Sequence, residues 1–143
     1  MVPPSTPRTR ADRRPSAVEV VRAYVRRINA GDAVGLGRVG GAHVRFVDAR
    51  GAVHDLTPDA WASFFAQFPD YRIRVAQVIA DGPHVALFGR ASGSYLGRGR
   101  TTPIAAWRFP AAWRATVRAG KLVEWRVYGD IEPMLRSAGV GRR

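Results

Sequence analysis

Two side chains that can handle protons lie in the first half of this chain. Tyr24 belongs to a run with the apolar spacing of an amphipathic helix, and Asp48 ends the strand-like run Arg45-Phe46-Val47. An apolar pocket disfavours the charged form of a carboxylate, and a phenol can hydrogen-bond an enolate or alkoxide as it forms. We therefore predict that Asp48 is a general base and Tyr24 a hydrogen-bond donor in one pocket.

Each of these residues also has a purely structural explanation. Asp48 precedes the turn-forming run Ala49-Arg50-Gly51, so its carboxylate can instead bind nearby backbone N–H groups. Tyr24 can instead be a packing residue on a core-facing helix. The sequence alone leaves both alternatives open.

The histidines do not form a metal-binding pattern. His43, His54 and His84 lack the spacing of metal ligands, so we predict neither a metal nor another cofactor. Of the three, His54 is expected to lie nearest to the mouth of the pocket.

Length and composition indicate one small globular domain. The chain has 143 residues, 46% of them hydrophobic, and no cysteine, which excludes disulfides and thiolate catalysis. Pro and Arg at the N-terminus, and the absence of an apolar run of about 18 residues, predict a cytoplasmic protein with no signal peptide and no membrane partner. We predict a disordered basic arm at 1–15, a single domain at 16–138 and a flexible end at 139–143.

The net charge of +12 is carried almost entirely by arginine, since Lys121 is the only lysine. The arginines are spread along the whole chain, and the densest cluster, Arg8, Arg10, Arg13 and Arg14, falls in the predicted arm. A nucleic-acid groove requires clustered cations with stacking aromatics, so nucleic acid is not an expected partner.

The helices that would position these groups have clear start signals. A capping box at Ser16-Ala17-Val18-Glu19 begins a helix that runs to about Ala30, and Asp32 can cap a short second helix through Leu36. Thr57 and Pro58 begin a third helix. Its apolar stripe, which ends before Pro69, consists of Trp61, Phe64, Phe65 and Phe68.

Alternating patterns predict strands over most of the rest of the chain. The predicted strands are His43 to Asp48, Val53 to Leu56, Tyr71 to Val75, His84 to Tyr95, Ile104 to Arg118 and Leu122 to Tyr128, with a short helix at Asp130 to Arg136. Pro110 cannot donate to a ladder, so it predicts a bulge or an edge. The order of elements predicts an α+β fold in which N-terminal helices cover one face of a curved, mostly antiparallel, cone-shaped sheet.

A cone of this kind can hold a small hydrophobic molecule. Small residues on the covered face would leave space inside it, and neighbouring tryptophans could form an aromatic wall. The predicted lining is Trp61, Phe65, Gly89, Ala91, Trp113, Trp125, Val127, His54 and Asp130. The alternative is that these side chains fill the space themselves.

From Val18 to Leu135 the chain resembles the nuclear transport factor 2-like superfamily, which contains ketosteroid isomerase and the SnoaL-like polyketide cyclases. The resemblance is carried by Asn29-Ala30-Gly31-Asp32, Phe46-Val47-Asp48, the run Phe68-Pro69-Asp70-Tyr71-Arg72-Ile73, the run Gly120-Lys121-Leu122-Val123-Glu124-Trp125, and Tyr128-Gly129-Asp130. The run Pro110-Ala111-Ala112-Trp113-Arg114 is similar to a SnoaL-like subgroup of actinobacterial type.

The resemblance implies a pocket chemistry that departs from ketosteroid isomerase. Tyr24 and Asp48 match the oxyanion tyrosine and the base of that enzyme, but the place of its second oxyanion donor falls at or next to Trp113, and Phe65 replaces a supporting tyrosine. Steroid isomerisation is therefore not expected.

The expected function is that of a cofactor-independent cyclase, isomerase or hydrolase acting on a hydrophobic carbonyl or epoxide compound. For epoxide opening, Asp130 and Arg90 are candidates for the second acid and the arginine. The alternative is a non-catalytic ligand-binding or assembly module of the same fold.

The uncovered face of the sheet is predicted to form an interface. Phe88, Arg90, Arg126 and Tyr128 should point away from the helices, and an amphipathic antiparallel face commonly buries against a partner. We expect a homodimer through this face, as the resemblance also implies.

Overall fold

The computed structural model describes residues 14–97, 99–101 and 105–139. Within these ranges the helices are α1 (Ala17–Asn29), α2 (Ala33–Val39), α3 (Pro58–Gln67) and α4 (Glu132–Ser137). The strands are β1 (Val44–Val47), β2 (Val53–Leu56), β3 (Arg72–Asp81), β4 (His84–Tyr95), β5 (Ala105–Arg118) and β6 (Lys121–Gly129). Most of the predicted arm at 1–15 and of the predicted flexible end at 139–143 lies outside the described residues.

The strands form one sheet in the order β2-β1-β6-β5-β4-β3. All neighbours are antiparallel except β1 and β6, which run parallel. Helices cover one face, here called the inner face, so the prediction of an α+β fold with a curved, mostly antiparallel sheet is confirmed. No helix of the described part of the chain is long and apolar enough to cross a membrane.

The predicted helix caps are confirmed. The Ser16 hydroxyl accepts from the Glu19 N–H at 3.1 Å, and the Thr57 hydroxyl accepts from Ala60 N–H at 3.1 Å. Asp32 caps α2 by accepting from Gly35 N–H at 2.8 Å. This helix runs to Val39, further than predicted, because the fully buried Leu36 anchors it on the core and offsets the low helix propensity of its glycines.

Pro110 lies inside β5 without a bulge. The register shifts fall elsewhere, between Val75 and Gln77 and at Thr116. Pro110 is one residue beyond the last β5–β6 pair, Ala111 with Gly129, so β5 is locally an edge on that side and no ladder there requires its N–H.

An aromatic core fills the space between the helices and the inner face. The inner positions of β5 and β6 alternate with outer ones, and their side chains pack against α1. The largest fully buried side chains are those of Trp113, Tyr24, Ile28, Leu36, Leu87 and Leu122.

A side-chain clamp joins the end of α1 to the start of β3. The Asn29 amide nitrogen donates to the Ile73 carbonyl at 2.9 Å, and its oxygen accepts from the Ile73 N–H at 2.7 Å. The amide thus replaces a missing strand neighbour at an edge that would otherwise leave both backbone groups unpaired.

We expect Asn29→Asp to destabilise the fold, because a carboxylate cannot donate to the Ile73 carbonyl and would face it at close range. The expected loss is about 1–3 kcal/mol in the free energy of unfolding, measured by urea denaturation. Gln77→Glu makes the same chemical change at an exposed strand position and should cost much less. Equal urea midpoints for the two variants would show that the hydrogen bonds between Asn29 and Ile73 do not stabilise the fold.

Candidate functional site

A cavity of about 480 Å³ lies between the inner face of the sheet and helices α3 and α4. Six predicted residues lie in its wall: Asp48, His54, Trp61, Trp113, Trp125 and Val127. Sequence reasoning missed others, chiefly Phe46, Phe64, Tyr71, Phe109, Ile131 and Met134. The wall is therefore mostly aromatic and aliphatic. Its few polar residues are Asp48, His54, Asp55 and Tyr71.

The tryptophan wall follows from the register of β5 and β6. Trp113 pairs with Val127, and Trp125 pairs with Ala115, so these side chains all point to the inner face. The two indole rings stack with centroids 6.4 Å apart and planes inclined by 24°. A flat wall of this kind suits a planar apolar molecule.

Asp48 follows β1 and binds both backbone and side-chain donors. One carboxylate oxygen accepts from the N–H groups of Arg50 and Ala52, each at 2.9 Å. The other oxygen lies 2.8 Å from His54 Nε2. Burial alone would raise the pKa of this carboxyl, but the hydrogen bonds from His54, Ala52 and Arg50 stabilise the carboxylate and hold its pKa below the usual range.

His54 completes a pair with Asp48 at the edge of the cavity. It lies on β2 opposite Phe46, and the two rings are 5.8 Å apart. A carboxylate can only accept a hydrogen bond, so His54 Nε2 carries the proton in this contact. In the neutral ring, Nδ1 is then the nitrogen with a free lone pair.

Tyr24 lies behind the cavity wall. Its side chain is 1% exposed, its ring packs 5.2 Å from that of Trp125, and its hydroxyl accepts from Trp61 Nε1–H at 2.9 Å. Burial raises the pKa of the phenol, an effect that the Trp61 hydrogen bond opposes only in part. Tyr24 thus positions two tryptophans of the wall without lining the cavity itself.

The phenol that does line the cavity is Tyr71. It follows α3 through a tight turn in which Tyr71 N–H donates to the Phe68 carbonyl at 3.1 Å, and its ring meets Phe64 edge-on at 4.8 Å. Burial raises the pKa of the Tyr71 phenol, which therefore stays protonated at neutral pH. The sequence contains one signal for this position of Tyr71, the turn-forming run Phe68-Pro69-Asp70. Because of this turn, β3 begins at Arg72, one residue later than the alternating pattern predicts.

Three other predicted lining residues, Phe65, Ala91 and Gly89, are not part of the cavity wall. Phe65 stacks against Trp61 with centroids 5.3 Å apart, and Ala91 is fully buried opposite Phe109 on β5. A Cβ atom added at Gly89 would lie 1.8 Å from the Arg74 carbonyl oxygen, so this glycine permits the close approach of β3.

The two groups predicted for epoxide opening are not brought together at the cavity. Asp130 is exposed and accepts from Glu132 N–H at 3.0 Å, at the start of α4. Arg90 pairs with Pro110 and points to the uncovered face of the sheet. Among the described residues, no group of three His, Cys, Asp or Glu side chains could hold a metal ion.

We expect Tyr24→Phe to lower stability by about 1–3 kcal/mol, because it leaves the buried Trp61 indole N–H without an acceptor. Thermal unfolding followed by tryptophan fluorescence measures the loss. Tyr128→Phe removes a hydroxyl from an exposed tyrosine and is the matched control. A Tyr24→Phe protein as stable as this control would show that the Trp61 hydrogen bond contributes nothing.

The lowered pKa of Asp48 predicts a pH-dependent contribution to stability. A carboxyl with a depressed folded-state pKa stabilises the fold above its unfolded value, and that stability is lost as the pH falls through the folded value. Asp48→Asn should therefore be less stable than the unmodified protein at pH 7, by less than about 1 kcal/mol at this partly exposed site. The gap in urea midpoint should close as the pH falls below about 3.9. A difference in urea midpoint that does not change with pH would show that the pKa of Asp48 is not lowered in the folded protein.

Comparison with known proteins supports the fold. No curated protein matches the chain. An NTF2-like protein from Burkholderia thailandensis is 15% identical with a TM-score of 0.68, over 87% of this chain and 98% of that one. A hypothetical protein with a ketosteroid isomerase-like fold from Catenulispora acidiphila, in complex with trimethylamine, is 19% identical with a TM-score of 0.62, over 85% and 93%.

A third structure is IdmH, a proposed polyketide cyclase from Streptomyces antibioticus. It is 20% identical with a TM-score of 0.66, over 87% of this chain and 99% of that one. The family model for the SnoaL-like domain matches residues 21–125. This chain therefore belongs to the SnoaL-like domain family, and its fold is that of the NTF2-like protein.

Proposed function

We propose that this protein is a small cofactor-independent enzyme that removes a proton beside the carbonyl group of a hydrophobic substrate, as a cyclase or an isomerase does. The observation that carries the proposal is the His54–Asp48 pair, 2.8 Å apart, in the wall of an apolar cavity of about 480 Å³. Solved structures of similar fold include proteins described as polyketide cyclases, which agrees with this class of reaction.

His54 is the proposed base. The Asp48 carboxylate already accepts from two backbone N–H groups as well as from His54, so its lowered pKa makes it a weak base. The same contacts make it a good positioning residue, because it fixes the imidazole tautomer and stabilises the imidazolium that forms. The proton is therefore taken by His54 Nδ1.

Tyr71 is the proposed hydrogen-bond donor. The cavity crosses the sheet from the β1–β2 hairpin, which carries Asp48 and His54, past β6 and β5 to Tyr71 at the start of β3. The two polar groups thus lie towards opposite ends of an apolar space. A fitting substrate is an extended, largely planar molecule with a polar group towards each end.

The proposed reaction starts when His54 Nδ1 removes a proton from the carbon next to a carbonyl group. The C–H electron pair is delocalised through the conjugated frame of the planar substrate to a carbonyl oxygen near its other end, and Tyr71 donates a hydrogen bond to that oxygen as it becomes an enolate oxygen. The enolate then takes the proton back from His54 at another carbon, or its carbon attacks a second carbonyl whose oxygen receives that proton. The first outcome is an isomerisation and the second an aldol cyclisation.

Exchange with solvent tests the proposal whatever the product of the natural reaction is. Fused-ring ketones are incubated with the protein in D₂O, and deuterium uptake at the carbon next to the carbonyl is followed by mass spectrometry. His54→Gln should abolish enzyme-dependent exchange, because Gln has no basic nitrogen. Tyr71→Phe should slow it by about 10²- to 10³-fold, the usual cost of losing an oxyanion donor.

His43→Gln is the matched control. His43 also contacts a carboxylate, with Nδ1 2.6 Å from Asp55, but it is not part of the cavity wall. Its loss should leave exchange unchanged. Ketones that bind tightly and shift tryptophan fluorescence but never exchange would refute catalysis and favour the ligand-binding module. Full exchange in His54→Gln would refute the base.

A further inference from the structure

The wall of the cavity differs in charge from the rest of the molecule. Arginine and lysine account for 23 of the 143 residues and give the chain a net charge of +12. Among the described residues, however, none of these cations lines the cavity, and the carboxylates in its wall are Asp48 and Asp55. Asp55 is engaged by His43 at 2.6 Å, so the charge of Asp48 acts most directly on a bound molecule. Salt screens charges beyond about 10 Å, which leaves the wall to determine the local field.

Aromatic side chains form the sheet side of this wall next to Asp48. Phe46 on β1 pairs with Trp125 on β6, and the Trp125 ring stacks against Trp113 on β5. Asp48 follows Phe46 by two residues, and its carboxylate lies 2.8 Å from His54 Nε2, on a ring that is 5.8 Å from that of Phe46. A negative charge therefore adjoins a continuous aromatic surface that crosses three strands.

Helix α3 contributes aromatic side chains on the opposite side of the cavity. Trp61 and Phe64 both line it, with ring centroids 6.0 Å apart. The hydrogen bond to Tyr24 holds Trp61 in place, and the edge-on contact with Tyr71 holds Phe64. A molecule between the sheet and α3 therefore has aromatic rings on two sides. The faces of such rings carry a negative potential that attracts cations.

We propose that the substrate of this cavity carries a tertiary or quaternary ammonium group, bound between the two aromatic layers and close to the Asp48 carboxylate. The inference rests on the proposed function, because it assigns this group to the hydrophobic ketone that occupies the same cavity. An alkylated ammonium ion fits better than a primary one, since it requires few hydrogen-bond acceptors and aromatic rings can surround it. A neutral ligand of the same shape would gain nothing from the charge of Asp48.

Three naphthalene probes of similar shape and different charge test the proposal on the full-length protein. They are the cation trimethyl(naphthylmethyl)ammonium, its neutral carbon isostere neopentylnaphthalene, and the anion naphthylacetate. Equilibrium dialysis gives a Kd for each probe. We expect the cation to bind at least about tenfold more tightly than the neutral isostere, and the anion to bind most weakly. The net charge of +12 would favour the anion on the protein surface, so this order can arise only from the local wall.

Variants identify the groups that select the cation, through the ratio of the Kd for the neutral probe to the Kd for the cation. Phe46→Leu keeps an apolar side chain but removes a ring, and Asp48→Asn removes a charge. Each should lower this ratio by at least about threefold. Phe65→Leu is the matched control, because it removes a ring that stacks on Trp61 but is not part of the wall. This control should leave the ratio unchanged.

The ratio separates charge selection from damage to the fold, because a deformed cavity weakens both probes. Equal affinity for the cation and its isostere, tighter binding of the anion, or equal changes of the ratio in Phe46→Leu and Phe65→Leu would each overturn the inference. Neutral ketones that exchange deuterium on a protein with no preference for the cation would refute this inference alone. A preference for the cation without exchange of any ketone, including one that carries an ammonium group, would refute the proposed catalysis and leave an ammonium-binding site.

Discussion

The hydrogen bond from the Trp61 indole to the Tyr24 hydroxyl connects the parts of the structure on which the cavity depends. It joins α3 directly to α1, and the Tyr24 ring in turn packs against the buried ring of Trp125 on the central strand β6. Trp61 is thereby held over the cavity as part of its wall. Because an unpaired buried indole N–H is costly, the two helices cannot shift apart without a loss of stability.

The cavity exists because the inner face is curved and the helices do not fill it. Ala91 and Gly89 provide little side-chain volume, but they serve close packing of β3, β4 and β5 and do not line the cavity. The open volume lies instead between α3, α4 and the inner positions of β1, β2, β5 and β6, and His54 and Asp48 are part of its otherwise apolar wall.

The sequence predicted the elements well because their signals are local. Caps at Ser16, Asp32 and Thr57 each depend on residues within one helical turn, and they mark the starts of three helices. The roles of Tyr24 and Asp48 depend on partners that local patterns do not reveal. The Trp61 indole and the turn after β1 occupy their polar atoms, and both structural explanations considered from the sequence describe these contacts.

Tyr71 and the arginines on the uncovered face of the sheet also have positions that local sequence patterns do not reveal. Alternation places Tyr71 on a strand, but the turn with Phe68 and the contact with Phe64 bring its ring to the cavity. Likewise, Arg74 and Arg114 are forty residues apart, and only the strand order places them on one patch. A spread of charge along a chain is therefore weak evidence against a charged surface.

The most direct test of the proposed acid–base pair is the tautomer of His54, observed through its ring ¹⁵N and ¹H signals by NMR. We predict that the neutral form of the ring carries its proton at Nε2, that the ring signals shift when a fused-ring ketone is added, and that the tautomer preference is lost in Asp48→Asn. A ring protonated at Nδ1, or one that responds neither to the ketone nor to Asp48→Asn, would contradict the proposed acid–base pair.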